Sequence, residues 1–356
     1  MKSDKKEKLE SLYFLKAISC FFVVTIHSSV YGSQFFHAFF GIGTLCFLSI
    51  TGYLLYSREK ACELTKCAKW ARKLFNLSII VTCVYLVELV ILLALHPCRE
   101  PGLSYYSPFI RWSIVAADSH GVFWGEYLFV WAKSLLMSFF FGSGVCITLW
   151  YLTAVWESLL ILYVVLRYCP KLIYGFPLLF VLTYLLRSHP ALVFPDSPDV
   201  ALYMRLSIIT ALPFLSTGYL IHKHEEALLR IINVKIWLPI AIGLLLIESQ
   251  IRIHVFASYG SYCFCTYPLV CLLIIACKQY SRFSVPFLNT IGEKHSANIY
   301  YFHMIILFIL IALRIHIPYV EAIVVWLLCI PLSIIFNKTL AWCHHKKTPQ
   351  KLPRDA

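Results

Sequence analysis

Apolar runs of membrane-spanning length recur along almost the whole chain. Clear examples cover residues 12–31, 74–95, 149–166 and 297–313. A helix rises about 1.5 Å per residue, so a run of about twenty apolar residues crosses the roughly 30 Å hydrocarbon core of a bilayer. Only 14% of the residues are charged, well below the roughly 25% found in soluble domains. The sequence therefore predicts an all-α, polytopic membrane protein.

Ten transmembrane helices account for the apolar runs. We place them at residues 11–31, 35–56, 74–96, 148–168, 171–187, 203–221, 235–253, 259–277, 297–315 and 319–336. Both termini then lie on one side of the membrane. Most of the 31 lysines and arginines fall on that side, which the positive-inside rule assigns to the cytoplasm. We therefore expect a cytoplasmic (inner) membrane protein whose basic charge reports topology, and nucleic acid is excluded as a partner.

One domain is predicted. No linker, repeat or low-complexity block interrupts residues 1–340, and residues 341–356 form a basic cytoplasmic tail too short to build a core. The basic start leads into an apolar run too long for a signal peptide, so the first helix is expected to stay. Residues 97–147 are read either as an outer loop with amphipathic pieces or as a re-entrant segment. The fourteen cysteines lack the spacing of metal ligands, so no metal is expected.

Two ionisable side chains lie inside the first predicted span. Lys16 and His27 are separated by a rotation of about 1100°, which is about 20° more than three helical turns. They share one helix face and lie about 16 Å apart along the axis. Such groups are costly in a bilayer core and normally face a protein interior or a wet cavity. The pair is a candidate functional site, although Lys16 can also snorkel to the headgroups and His27 can be a packing residue.

A second polar stripe lies in the ninth predicted span. Ser296, Tyr300 and His303 follow i, i+4, i+7 spacing and share a face, and Gly292 marks a break before the helix. Helix packing by small and polar residues is the alternative explanation. Glu157 is a carboxylate inside the fourth predicted span, where it can orient a histidine or pair with a basic group for stability. Two spans with an inward histidine each favour a functional site.

These residues resemble the motifs of the acyltransferase 3 family, the polytopic membrane O-acyltransferases that modify glycans and other cell-surface molecules. The family's first helix carries an arginine, ten residues and a histidine, and Lys16 and His27 stand in those places. Lysine lacks the bidentate fork of arginine. Further similarity lies in CFLSITGYLL, KWAR, WYL and a late Gly-Ser-Ile-Tyr-His pattern, which supply Ser49, Thr51, Gly52, Tyr53, Lys69, Arg72, Trp150, Gly292, Ser296, Ile299, Tyr300 and His303.

The resemblance implies a cytoplasmic acyl-CoA donor, acetyl-CoA in the first place, and an acceptor hydroxyl on a cell-surface glycan or lipid-linked saccharide. It implies His27 as general base or covalent acyl carrier, and Lys16 as the group that fixes the donor or polarises its carbonyl. The candidate acceptor or oxyanion contacts are the motif residues Tyr300, His303, Ser296, Trp150, Ser49, Thr51 and Tyr53, together with the intramembrane carboxylate Glu157. The candidate donor contacts are Lys69 and Arg72 of the basic motif, together with Arg58 and Lys73 of the same basic inner loop, where a nucleotide phosphate could be paired; positive-inside topology also explains all four. Membrane lipid is the remaining expected partner.

A transporter or exporter of a small solute or glycan precursor is the alternative function. Transporter folds often contain two similar halves with broken helices at matching positions. The sequence shows no such repeat, and a membrane scaffold without chemistry leaves the aligned pair Lys16 and His27 unexplained. The sequence therefore favours a membrane O-acyltransferase.

Overall fold

The computed structural model describes residues 9–28, 36–95, 132, 136, 146–188, 207–256, 263–315, 317 and 320–347. Within these residues every regular element is helical. Most of segment 97–147, which was predicted to be a loop or a re-entrant piece, lies outside the described residues, as does the tail from residue 348 onward.

Twelve α-helices make up the described part of the chain. They are α1 (Glu10–His27), α2 (His37–Leu55), α3 (Lys60–Leu95), α4 (Trp150–Tyr168), α5 (Leu179–Ser188), α6 (Leu212–Lys223), α7 (Glu225–Ile231), α8 (Val234–Phe256), α9 (Thr266–Gln279), α10 (Pro286–Thr290), α11 (Ser296–Ala312) and α12 (Glu321–Lys347). Short 3₁₀ segments cover Ile147–Leu149, Pro170–Tyr174 and Phe176–Leu178, and π-helical turns cover Ser207–Ala211 and Ile291–His295.

Seven helices in the described residues are long and apolar enough to cross a membrane. One of them, Pro286–Ile311, combines α10, a π-helical turn and most of α11, while the apolar helices Pro170–Leu185 and Thr266–Gln279 are shorter. The predicted all-α polytopic fold is confirmed. The predicted count of ten spans is not confirmed. In the described residues, the helices at the fifth, sixth and eighth predicted spans are shorter than a membrane-spanning helix.

Two helices extend beyond their predicted ends. Residues 57–73 were predicted to be a basic inner loop, but α3 begins at Lys60 and runs for 36 residues without a break. Good helix formers such as Ala, Glu and Lys fill this segment, and Glu63 and Cys67 pack their side chains into the bundle. In the same way, α12 continues to Lys347, so the first part of the predicted tail is helical.

α2 is the central helix of the bundle. Its apolar window is 72% buried, more than that of any other spanning helix in the described residues, and it packs against α1 and α6. A Cβ atom at Gly52 would collide with the carbonyl of Leu215, and a Cβ atom at Gly218 would collide with the carbonyl of Ser49. These two glycines let the backbones of α2 and α6 meet, in the close packing by small residues that membrane helices use.

Replacing either glycine by alanine is expected to destabilise the bundle. Gly52→Ala or Gly218→Ala puts a methyl group where a carbonyl of the other helix lies, and overpacking typically costs about 1–3 kcal/mol of unfolding free energy. The measurement is the thermal unfolding midpoint of the purified protein in detergent. Gly243→Ala on α8 is the matched control, because nothing lies within 4 Å of a Cβ atom there. Equal midpoints for all three variants would contradict the close helix contact.

Candidate functional site

Two histidines from distant parts of the sequence meet inside the bundle. His27 is the last residue of α1 and His303 lies on α11. Their ring centroids are 5.3 Å apart, with an angle of 35° between the ring planes. His303 is fully buried, whereas His27 is half-buried. The contact arises because α1 packs against α11 and against the π-helical turn that precedes it.

The hydrogen-bond partner of His303 defines the state of its ring. Nδ1 of His303 lies 2.7 Å from the backbone carbonyl of Tyr300. A carbonyl only accepts hydrogen bonds, so Nδ1 is the donor and carries a hydrogen. Nε2 of His303 is buried and has no hydrogen-bond partner among the described residues. With the hydrogen on Nδ1, the neutral ring keeps a lone pair on Nε2 that can accept a hydrogen bond or a proton from a substrate.

A group of buried aromatic rings adjoins the histidines. The ring centroid of Tyr300 lies 6.0 Å from that of His303, 4.8 Å from that of Tyr151 and 6.1 Å from that of Phe47. The Tyr300 hydroxyl donates a hydrogen bond of 3.1 Å to the carbonyl of Thr148, just before α4. The hydroxyl therefore ties α11 to the start of α4, and the aromatic rings form an apolar wall beside the histidines.

Tyr151 belongs to this aromatic wall, although sequence reasoning singled out its neighbour Trp150. Tyr151 contacts the rings of Phe47 and Tyr300, and its hydroxyl has Thr51 as a hydrogen-bonding neighbour. Trp150 packs edge-on against Tyr151, with 6.3 Å between the ring centroids. Adjacent residues point about 100° apart on a helix. The motif WYL therefore contains the residue that faces α11, but the sequence does not show which residue it is.

Three predicted hydroxyl groups lie on the central helices. Ser296 donates a hydrogen bond of 2.8 Å to the carbonyl of Gly292, and Thr51 donates one of 2.8 Å to the carbonyl of Phe47. Ser49 is fully buried, and its hydroxyl has no partner in the described part of the chain. Two of the three hydroxyls thus satisfy a carbonyl of their own helix, which is the usual role of serine and threonine in a membrane helix.

Lys16 lies half-buried on the same helix as His27. Two ionisable groups interact electrostatically with the Lys16 ammonium group: Cys20, one turn further along α1, and Glu293 on the π-helical turn. No described residue forms a hydrogen bond or ion pair with the Lys16 ammonium group. Between Lys16 and His27, the indole of Trp326 on α12 donates a hydrogen bond of 3.1 Å to the Cys20 sulfur. α12 therefore covers the helix face that joins the two candidate residues.

Tyr53 lies at the opposite end of α2 from the histidines. Its hydroxyl donates to Glu225, and its ring stacks on His222 with 4.2 Å between the centroids. Lys278 pairs with Glu225 at 3.5 Å and lies 5.5 Å from the centre of the Tyr53 ring. Tyr53 therefore joins α2 to α6, α7 and α9, and the structure does not bring it to the histidine pair. Glu157 is half-buried on α4, about 1.7 turns beyond Tyr151.

The four predicted donor contacts are exposed. Arg58 precedes α3 and forms an ion pair of 3.8 Å with Glu226 at the surface. Lys69, Arg72 and Lys73 lie on α3 with exposed side chains. The structure therefore places these four residues at the surface and does not gather them around the half-buried ammonium group inside α1.

The helical spans and the internal histidine pair define a polytopic membrane protein with a polar site inside its bundle. Residues 9–342 match the acyltransferase 3 family, whose model is described as an acyltransferase domain. The match covers nearly the whole chain, so the protein belongs to this family and is a membrane acyltransferase. None of the curated proteins or solved structures compared with the chain matches it.

The position of the hydrogen on the His303 ring is a testable feature of the site. In protein labelled with ¹⁵N-histidine and reconstituted in membranes, NMR is expected to show a neutral ring with its hydrogen on Nδ1, and this signal should vanish in His303→Gln. His295→Gln is the control, because His295 contacts the Ser333 hydroxyl at 2.8 Å on another helix face. A His303 signal with the hydrogen on Nε2 alone would rule out the bond to the Tyr300 carbonyl.

Proposed function

We propose that the protein transfers an acyl group, acetyl in the first place, from acyl-CoA to a hydroxyl of a cell-surface glycan or lipid-linked saccharide. The family supplies the reaction class, acyl transfer in a membrane. The observation that carries the proposal is the contact between His27 and His303, because it puts two imidazoles and a free Nε2 lone pair inside the bundle. Acyl transfer to a hydroxyl requires such a proton acceptor.

His27 is the general base in this proposal. Its neutral imidazole removes the proton of the acceptor hydroxyl while the hydroxyl oxygen attacks the thioester carbonyl. The carbon–sulfur bond then breaks, and the proton passes from His27 to the departing thiolate of CoA, which balances the reaction. Because His27 is half-buried, an acceptor can reach it. His303 is fully buried and interacts with His27 rather than with the acceptor. The Nε2 lone pair of His303 stabilises the positive charge that His27 acquires.

Lys16 holds the donor in this proposal. An ammonium group inside a span with no partner in the described residues is costly, and an oxygen of the donor would offset that cost. Lys16 and His27 lie about 16 Å apart along α1, and the contact between Cys20 and Trp326 lies between them. The acyl end of the donor has to pass this covered section, which favours a short acyl group.

The aromatic wall holds the acceptor in this proposal. Tyr151, Tyr300 and Phe47 present buried rings beside the histidines, and ligand sites are commonly lined by aromatic side chains with a few placed polar groups. In the proposed topology, both termini are cytoplasmic in an inner membrane, so His27 lies nearer to the outer leaflet than Lys16 does. The donor then approaches from the cytoplasm and the acceptor from the opposite side.

Removing either imidazole is expected to reduce acyl transfer. The assay measures transfer from radiolabelled acetyl-CoA to endogenous acceptors in membranes, and loss of a general base typically lowers the rate about 10²–10⁴-fold. His27→Ala is expected to fall in this range, and His303→Ala should fall less because its role is supporting. His295→Ala, a histidine that contacts Ser333 instead, is the control. Wild-type labelling by His27→Ala at equal protein levels would remove His27 from the mechanism.

Lys16 variants separate charge from shape at the donor end of the site. Lys16→Met removes the charge and is expected to raise KM for acyl-CoA more than tenfold with a smaller change in kcat, because the residue binds donor without reaching the reacting atoms. Lys16→Arg restores the arginine of the family and should keep most activity, because the charge is retained. Kinetics over a range of acyl-CoA concentrations give both values. An unchanged KM in Lys16→Met would make Lys16 a helix anchor only.

A further inference from the structure

α3 is longer than a membrane is thick. Its 36 residues form a helix of about 54 Å, whereas a bilayer with its headgroups measures about 40–45 Å. The apolar part runs from Leu74 to Leu95 and spans about 33 Å, which fills the hydrocarbon core. The first part of α3 therefore extends out of the core. Lys69, Arg72 and Lys73 lie within about 8 Å of Leu74 along the axis, which is the depth of the headgroup layer.

α3 has one buried face and one exposed face. The buried face contains Glu63, Cys67, Ala71, Val81 and Tyr85, and the exposed apolar residues are Phe75, Ile79, Ile80, Val84, Val87 and Ile91. Lys69, Arg72 and Lys73 are exposed as well, and their i, i+3, i+4 spacing continues the exposed apolar stripe. An exposed apolar stripe on a membrane helix faces lipid chains. The three basic side chains, which we call the α3 basic face, therefore point toward the headgroups of the same lipids.

The other basic residues of α3 already have partners within the protein. Lys60 donates to a backbone carbonyl of α4 at 3.4 Å, and Lys66 donates to two carbonyls at the end of α2 at 3.2 and 3.3 Å. Lys69, Arg72 and Lys73, in contrast, form no hydrogen bond or ion pair with any residue that the structure describes. Three positive charges at one depth are thus available to a ligand outside the bundle.

We propose that the α3 basic face binds the phosphate groups of anionic phospholipids. Arg72 offers a planar fork that can bind a phosphate with two hydrogen bonds, and Lys69 and Lys73 add point charges on either side. A basic side chain near an anionic membrane surface strengthens binding about fivefold. This contact holds the protruding end of α3 at the membrane surface, and it is independent of the proposed acyl-transfer reaction.

Lipid retention measured by native mass spectrometry tests this contact. Purified protein in detergent is mixed with phosphatidylglycerol and phosphatidylcholine of the same chain length, and the bound lipids are counted. The wild-type protein is expected to prefer phosphatidylglycerol. The combined change Lys69→Gln, Arg72→Gln and Lys73→Gln should reduce that preference at least about tenfold, because three contributions are lost. If the combined variant does not fold, Arg72→Gln alone should lose about fivefold.

A matched control removes the same charge elsewhere. Arg230, Arg282 and Lys294 are exposed and lie outside α3, so their combined change to glutamine should leave the preference for phosphatidylglycerol intact. An equal loss in this control would mean that net charge alone attracts the lipid, which overturns the proposal. Displacement of phosphatidylglycerol by millimolar coenzyme A would also overturn it, because the face would then recognise a soluble phosphate ligand. Neither readout depends on enzymatic activity.

Discussion

Polar groups inside a bilayer core have no water to bind, and this constraint explains most of the polar contacts described above. Thr51 and Ser296 satisfy it locally, by donating hydrogen bonds to carbonyls of their own helices. Trp326 satisfies it between helices, by donating to the sulfur of Cys20. Against this background, a buried polar atom without a partner is costly and calls for an explanation. Nε2 of His303 is such an atom in the described residues, and it lies beside His27.

The middle and the carboxyl end of the central helix α2 have different roles. Near the aromatic wall, Phe47 faces the rings that adjoin the histidine pair. At the carboxyl end, Tyr53 is held by Glu225, Lys278 and His222. Because Glu225 and Lys278 also pair with each other, this end of α2 is a joint between helices. A rigid joint keeps α2 in place, and precise positioning of reacting groups is what makes a preorganised site effective.

The two faces of α3 hold charged side chains in different surroundings. Glu63 lies on the buried face of α3 and accepts a hydrogen bond of 3.0 Å from the Tyr219 hydroxyl. Arg72 lies on the exposed face of the same helix. Both residues belong to the segment that was predicted to be a loop. A continuous helix divides their side chains between the interior of the bundle and its outer surface, which a loop would not do.

The sequence by itself determined the features that depend on local periodicity. The length of the apolar runs gave the all-α membrane fold, and the 3.6-residue repeat placed Lys16 with His27 on one face and Ser296, Tyr300 and His303 on another. These statements need no knowledge of neighbouring helices.

Only the tertiary structure decided which of these faces meet. It paired His27 with His303, it turned Tyr151 rather than Trp150 toward Tyr300, and it moved Tyr53 into a contact with α7. The physical reason is that the rotation of one helix against another results from many packing contacts, including the backbone approach at Gly52 and Gly218. These contacts join residues that are far apart in the sequence, so no single stretch of sequence determines how the helices are rotated against one another.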